Sequence, residues 1–475
     1  MMKRPFPTGM LELDRTRQAP LYRQIYERFR AAIEQGMLRP GDRLASARSL
    51  AGELGVARAT VEAAYGQLAG EGYFVARGQA GTVVSPHLAQ RRPVRAGRAS
   101  AKAPAGAPPG AAEVPLPFQL GIPALDAFPR KLWSRLAARR MRSMSAADMF
   151  YGDPSGYGPL REAIAAYLLV SRGVACRPAQ VFVTAGYRAS LALVSHALLR
   201  RGDTVWIEDP GFPPTREVLR SAGHRSVPVP VDEEGIVVAQ GTRRAAKARM
   251  AIVTPSHQAP LGFSMSMARR LQLLDWASKA KAWIVEDDYD GEYRYAGHPL
   301  PALKSLDTHE RVLYAGSFSK VLYPGLALGY VVVPEPLVER CAETARIGSN
   351  GCPQLMQAIV SDFLKEGHFS RHIKKMRLLY ARRRAMLAAE LLRVFGEHVR
   401  IDLRRGGMHL IARLDGLGND DMLAGRAQQA GLNCQALSLR SIGAGGAQGL
   451  LMGFTNIASA AEARRLVARL RAALG

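Results

Sequence analysis

Long apolar runs are missing from this 475-residue chain: no stretch approaches the ~18 uninterrupted apolar residues of a membrane-spanning helix. MMKRPFPTGM is followed by polar sequence rather than an apolar signal core, so no secretion leader is expected. Cysteine is scarce. Cys176, Cys341, Cys352 and Cys434 are scattered, with no CxxC pair and no Cys/His group at zinc spacing, which excludes a disulfide scaffold and predicts no metal site. Neither GxGxxG nor GxxxxGK[ST] occurs, so nucleotide-binding folds score poorly. Negative charge is the minority, 40 Asp and Glu against 65 Lys and Arg, for a net +25. These features predict a soluble, reduced, cytoplasmic protein, and the positive excess favours an acidic partner, nucleic acid first. A 48% hydrophobic and 22% charged composition excludes wholesale disorder. At roughly 150 residues per domain, the length accommodates two to four domains.

Composition shifts sharply between Pro86 and Pro117, a stretch rich in Ala, Gly and Pro with five basic residues and one acid, Glu113. Such a segment buries too little surface to offset its ordering entropy, so 86–116 reads as a flexible linker. It separates a head, 1–85, from a body, 117–475. Residues 1–115 hold 17 basic and 9 acidic side chains, so most of the positive excess belongs to the body.

In the head, Leu21, Ile25, Phe29 and Ile33 recur every four residues on one helical face. Ser46 is an N-cap for a short helix that ends at Gly55. Val61, Ala64, Tyr65 and Leu68 line one side of a third helix, and YFVARGQAGTVVS predicts two strands around a glycine turn. These are the parts of a winged helix-turn-helix. The run from PLYRQIYERF to AGTVV resembles the DNA-binding domain of GntR-type bacterial regulators over its whole length. The resemblance implies that Arg48, Arg58 and Thr60 contact DNA. An arginine such as Arg58 can fork onto guanine O6/N7, and Thr60 suits a phosphate or a thymine methyl. Arg77 precedes the wing turn that begins at Gly78, and a backbone or minor-groove contact fits both. Ala59 stands where a polar residue is common.

The body alternates strand-like runs (QVFVTAG, TVWIED, RMAIVTP, AWIVEDDYD, RVLYAGSFSK, LGYVVV) with helical patterns, an α/β arrangement. Polar residues cluster at the strand ends in the order YGDPSGYGPLR, VTAGYRASL, IEDPGF, VTPSHQAPLG, EDDYDGEYRY and GSFSK. This set resembles the cofactor-binding elements of fold-type I aminotransferases, and with a GntR-type head the whole resembles the MocR subfamily of transcriptional regulators. The resemblance implies a PLP-dependent transferase fold of type I, with a large mixed-sheet part at about 160–335 and a small C-terminal α/β part at about 336–475.

It also implies pyridoxal 5'-phosphate bound through a Schiff base at Lys320, since only a primary amine condenses with the aldehyde. By the same resemblance Asp287 pairs with the pyridine nitrogen, Tyr289 donates to the ring oxygen, and Phe212 stacks on the ring. Gly186 and Tyr187 open a helix whose N–H groups suit the phosphate, and Ser317 adds a hydroxyl. Tyr151 matches a residue that reaches the phosphate of a neighbouring subunit, so the resemblance implies a homodimer. His257 and Gln258 are expected beside the cofactor. The basic run SRHIKKMRLLYARRRAM, with Ile373, Met376, Leu379 and Tyr380, predicts an amphipathic helix rather than a DNA site.

Three positions depart from the pattern. Ala327 stands seven residues after the lysine, where an arginine normally grips the phosphate. Arg188 replaces the usual Gln or Thr on the opposite side of that phosphate, so the cation is expected to have moved across. Leu451 stands where aminotransferases carry the arginine that clamps a substrate carboxylate, so efficient transamination is not expected. The reading is a DNA-binding regulator whose body senses PLP or an amine or amino-acid effector and brings two heads together. The alternatives are an active aminotransferase and a regulator whose body is a PLP-free scaffold.

Overall fold

A computed structural model describes residues 13–15, 19–78, 81–90, 115–295, 301–349, 351–443 and 446–475. Contacts divide the chain into two units, 1–109 and 110–475. Of the linker read from composition, 91–114 lies outside the described residues. Its first residues differ from that reading: Pro86–Gln90 form a 3-10 turn, and Leu88 packs against the core of the head, the one large apolar side chain in that stretch.

In the first unit α1 (Leu21–Glu34), α2 (Ala47–Leu54) and α3 (Arg58–Gly70) precede a hairpin of β1 (Phe74–Ala76) and β2 (Thr82–Val84). The four-residue apolar spacing of α1 drives Ile25 and Phe29 into the core. Ser46 Oγ accepts the Ser49 N–H at 3.1 Å, and Gly55 closes α2 at φ +60. Phe29, Tyr65 and Phe74 meet edge to face with centroids 5.6, 5.5 and 5.2 Å apart, which ties α1, α3 and the wing together.

The second unit is built on an eight-stranded mixed sheet of β3 (Val181–Thr184), β4 (Thr204–Asp209), β5 (Arg225–Asp232), β6 (Gly235–Ile236), β7 (Met250–Val253), β8 (Trp283–Asp288), β9 (Val312–Ser317) and β10 (Gly329–Val332). The order is β3-β10-β9-β8-β7-β4-β5-β6. Strands β5, β4, β7, β8 and β9 run parallel, and β10 is antiparallel to both neighbours. The parallel strands read as unbroken apolar runs because helices cover both faces. One face buries Phe182, Val205, Ile207 and Leu313; the other buries Trp206, Val229, Leu273 and Ile284. Loops leaving the carboxyl ends of β4, β8 and β9 meet at one edge, where this architecture binds ligands.

A smaller antiparallel sheet follows, of β11 (Val399–Asp402), β12 (His409–Leu414), β13 (Gln435–Ala436) and β14 (Leu450–Gly453), in the order β11-β12-β14-β13. The basic run expected to be an amphipathic helix lies within the 28-residue helix His368–Phe395. Phe369 and Ile373 join the core of the large sheet, whereas Met376, Tyr380, Leu387 and Leu391 join that of the small one. No helix among the described residues is long and apolar enough to cross a membrane.

Candidate cofactor cavity and DNA-reading surface

The loop ends of the large sheet and the face of the small sheet enclose a cavity of about 470 Å³. The large part contributes Gly186, Tyr187, Arg188, Phe212, Asp287, Tyr289, Ser317 and Lys320, and the small part contributes Met408, His409, Gln435, Arg440 and Leu451. Eight of the eleven cofactor residues expected from the sequence therefore line one space.

Lys320 follows β9, and its Nζ donates to the Gly121 carbonyl at 3.0 Å. Gly121 is at φ +70, and a Cβ there would lie 2.5 Å from Nζ, so a side chain at 121 would displace the amine. Burial lowers the Lys320 pKa below the ordinary lysine value, opposed by Asp287 and Asp290. A larger neutral fraction makes the amine a better nucleophile.

Along β8 successive side chains point to opposite sides. Asp287 faces the cavity, and among the described residues its carboxylate accepts no hydrogen bond. Burial, then Asp288, Asp290 and Glu208, push its pKa well above the carboxylate range, while Lys320 opposes. Asp288 takes bonds from Arg172 Nε and the Tyr314 hydroxyl, both at 2.6 Å. Burial would raise its pKa, but Arg172 and Tyr314 outweigh it and hold Asp288 low. Glu286 accepts the N–H groups of Leu303 and Lys304 at 2.8 Å, and burial pushes its pKa up to about 7. Glu286 and one oxygen of Asp288 are thus satisfied by protein, whereas Asp287 faces the cavity and is left for a ligand. A buried, unpaired carboxylate beside an amine fits a group bearing a protonated ring nitrogen, as the pyridoxal cofactor does.

Burial, then Asp290, pushes the Tyr289 phenol well above its ordinary value, so it remains a hydrogen-bond donor. His257 differs from expectation: its Nδ1 is 3.0 Å from both the Tyr289 hydroxyl and an Asp290 oxygen, one side chain back from the cavity lining. Gln258 is consumed by structural bonds, donating to Glu208 and to the Pro210 and Ala259 carbonyls. Tyr151 also stands away from the lining and is 76% exposed, on a segment with exposed Met149 and Phe150.

At the other end, helix Tyr187–Leu198 begins at Gly186, φ +93, with no side chain capping its first N–H groups. Ser317 and Ser319 line the wall beside it. Tyr187 shares a 2.7 Å bond with Thr215, and its ring centroid is 5.9 Å from that of Phe212. Arg188 lines the cavity, yet its Nη2 is 2.8 Å from Glu217 and the side chain is 60% exposed. Ala327 is exposed at φ +47 and is not part of the lining. Leu451 does face the cavity, packed with Leu261, Ile411 and Leu437.

Gly121, His409, Gln435 and Arg440 escaped the sequence reading. They come from segments without a motif and reach the cavity only through packing of the small part on the large. The Gly211 N–H donates to the Arg440 carbonyl at 3.2 Å, and the Ile442 N–H to Asp209 Oδ1 at 2.8 Å, which stitches the loop after β13 to the loop carrying Phe212.

In the head, Arg58 and Thr60 open α3, with Arg58 Nε 2.7 Å from Glu62 on the exposed surface. Arg48 is exposed on α2 and makes no ion pair among the described residues. Arg77 is exposed beside the wing turn, its N–H donating to the Gly81 carbonyl at 2.9 Å, and Gly78 takes φ +55 there.

Residues 124–440 match the family Aminotransferase class I and II, and residues 21–84 match Bacterial regulatory proteins, gntR family. The chain is 39% identical over 459 residues to the probable rhizopine catabolism regulatory protein MocR of Rhizobium meliloti, covering 94% of this chain and 92% of that protein. It is 34% identical over 438 residues to the pyridoxine biosynthesis transcriptional regulator PdxR of Corynebacterium glutamicum, covering 91% of each. Among solved structures it is similar to LysN, an α-aminoadipate aminotransferase from Thermus thermophilus, with TM-score 0.68, 28% identity and coverage of 76% of this chain and 92% of that one. A kynurenine aminotransferase from Pyrococcus horikoshii shares the fold at TM-score 0.68 and 24% identity, over 76% of this chain and 90% of that one. The mixed sheet, the small sheet and the winged head agree with these matches along nearly the whole chain, and the protein belongs to the MocR subfamily of GntR-type bacterial transcriptional regulators, a helix-turn-helix head joined to an aminotransferase-like body.

Proposed function

We propose that this regulator reads operator DNA through its head and senses pyridoxal 5'-phosphate, or an amine or amino acid acting with it, through its body. The observation that carries the reading is Asp287, a buried carboxylate that accepts no bond from the described protein residues and lines a cavity with Lys320. The cofactor, when bound, supplies an aldehyde that a lysine amine can hold and a ring that attracts electrons. Lys320, its pKa lowered by burial, offers the amine. Asp287 keeps a proton on the ring nitrogen, Tyr289 donates to the ring oxygen, and Phe212 covers one ring face. Gly186, Tyr187 and Ser317 hold the phosphate with N–H and O–H donors, and Arg188 is the cation available to it once Glu217 releases it.

Arg48, Arg58, Thr60 and Arg77 with Gly78 form the DNA-contacting set of the head. Two heads come together in a homodimer, and exposed Tyr151 with Phe150 is the part of the body that a second copy covers. Ligand controls the regulator by binding two arrangements of that dimer unequally. Turnover is not the purpose of the body, because Leu451 leaves an apolar side chain where a carboxylate clamp would stand.

The test is the visible absorption band that PLP develops on joining a protein amine, measured in the parent and in Lys320→Ala, together with operator binding by both. A band in the parent that Lys320→Ala abolishes, with operator affinity responding to PLP only in the parent, supports the reading. A parent without a band reduces the body to a dimerisation scaffold. Steady transamination by the parent makes it an enzyme.

A further inference from the structure

The cavity holds three cations. Lys320 stands in the field of Asp287, and Arg188 pairs with Glu217. Arg440 has no carboxylate beside it among the described residues: its Nη2 donates only to the neutral amide oxygen of Gln435. Burial lowers its pKa with no acidic group opposing. Its other neighbour, His409, is half-buried, and desolvation depresses its pKa to about 4, so it stays neutral. Arg440 is half-buried, and a guanidinium partly withdrawn from water without a counterion carries a cost that is offset when a ligand brings the anion.

Its position specifies which anion. Gln435 lies directly across the β13–β14 ladder from Leu451, so the two side chains share one face of the small sheet, and both line the cavity. The guanidinium held by Gln435 is thus one side chain away from the position that lost its arginine. Its backbone carbonyl is bonded to Gly211, next to Phe212, which fixes the loop over the ring-covering residue.

We infer that Arg440, steadied by Gln435, anchors the carboxylate of an amino-acid effector in this cavity, on a different strand connection from the arginine replaced by Leu451. The inference rests on the sensing role proposed above and narrows the effector class from amines in general to amines bearing a carboxylate. A guanidinium presents two parallel N–H donors to a carboxylate, a geometry that a simple amine cannot use.

The experiment compares ligands that differ only in the carboxylate: alanine with ethylamine, leucine with 3-methylbutylamine, and phenylalanine with 2-phenylethylamine. Each is titrated by calorimetry into the full-length, PLP-loaded parent and its Arg440→Gln and Arg440→Lys variants, alongside PLP affinity and thermal midpoints. In at least one pair the parent is expected to favour the amino acid by about tenfold to hundredfold. Arg440→Gln abolishes that preference while leaving PLP affinity within about twofold, and Arg440→Lys, which keeps the charge without the fork, retains part of it. Absence of any preference in the parent overturns the inference, as does a preference that survives in Arg440→Gln. A loss of PLP affinity in Arg440→Gln with the preference kept assigns the cation to the cofactor and overturns it equally. If Arg440→Gln melts early, an unchanged preference in Arg440→Lys overturns it. Failure of the sensing role is separate: it is a parent without the visible band. The same ligand pairs are then titrated without PLP, and the same outcomes decide.

Discussion

The two ends of the cavity differ in what they have kept. At the ring end, Lys320, Asp287 and Tyr289 stand together, and Arg172, Tyr314 and backbone N–H groups bond Glu286 and one oxygen of Asp288. At the anion-holding ends, the resemblance to aminotransferases expects arginines where Ala327 and Leu451 stand, Arg188 is tied to Glu217, and Arg440 stands on a different loop. The ring end needs a carboxylate and an amine whose fields act on one another in a dry site, a demand on exact position as well as charge. An anion can be held by any donor that reaches it, so positive charge can migrate between neighbouring elements without loss of the site. A body that keeps the first set and rearranges the second retains a ligand while giving up the fixed orientation that turnover requires.

The largest effect should come from breaking the ring end. Asp287→Ala removes the partner of the ring nitrogen and is expected to weaken PLP binding about a hundredfold, the scale of a buried charge-assisted hydrogen bond. Titration of the visible band measures it. A loss under about threefold would erase the distinction between the two ends.

Ala327→Arg tests the opposite end by restoring what is missing. Position 327 already lies in the left-handed region, so exchanging one L-residue for another adds no backbone strain. A cation returned to the phosphate is expected to tighten PLP binding about tenfold. No change would mean that Arg188 already neutralises the phosphate. That alternative is read directly from Glu217→Gln and Arg188→Gln: freeing Arg188 should tighten binding by about threefold, because the exposed pair is worth little, and removing it should weaken binding. Equal affinity in Arg188→Gln and parent leaves Arg188 a surface residue.

The same contrast explains what the sequence could show. Lys320, Asp287, Tyr289 and Phe212 were legible because each lies at or just beyond the end of a strand, so strand and motif together locate the side chain. The winged head was legible for a similar reason: its core positions repeat at helical spacing, and Ser46 and Gly55 mark the ends of α2. Arg440 was not legible, since SLRSIGAGG has neither periodicity nor motif, and its approach depends on the small sheet docking against Gly211. The grip of Glu217 on Arg188 joins two helices 29 positions apart, which no local pattern encodes. His257 was placed one side chain too close, because spacing along the loop after β7 does not reveal that Tyr289 comes between.

Glu208 offers the smallest effect on affinity and the finest test of the ring end. It is buried at the end of β4, accepts the Thr254 N–H, the Thr254 hydroxyl and Gln258 Nε2, and burial still pushes its pKa up to about 7. Below that pH it is neutral in the folded chain, and Asp287 has one fewer negative neighbour. Unfolded, it ionises at the ordinary carboxylate value, so over the interval between that value and about 7 the folded state holds the extra proton. Stability must therefore fall as pH rises through this interval and level off above it. Glu286, raised to about 7 by burial, acts in the same direction, whereas Asp288, held low, loses its contribution only in more acidic solution. Glu208→Gln should thus flatten part of the slope, leaving the rest to the other carboxyls that burial raises, Glu286 and Asp287. The four tryptophans, Trp133, Trp206, Trp276 and Trp283, all belong to the body, so urea unfolding followed by tryptophan fluorescence reports the body within the full chain. At pH 6 Glu208→Gln should change PLP affinity by less than about twofold, since an amide replaces a protonated acid. A larger loss at that pH would mean that Glu208 is ionised and belongs, with Asp287, to the charges that hold the cofactor.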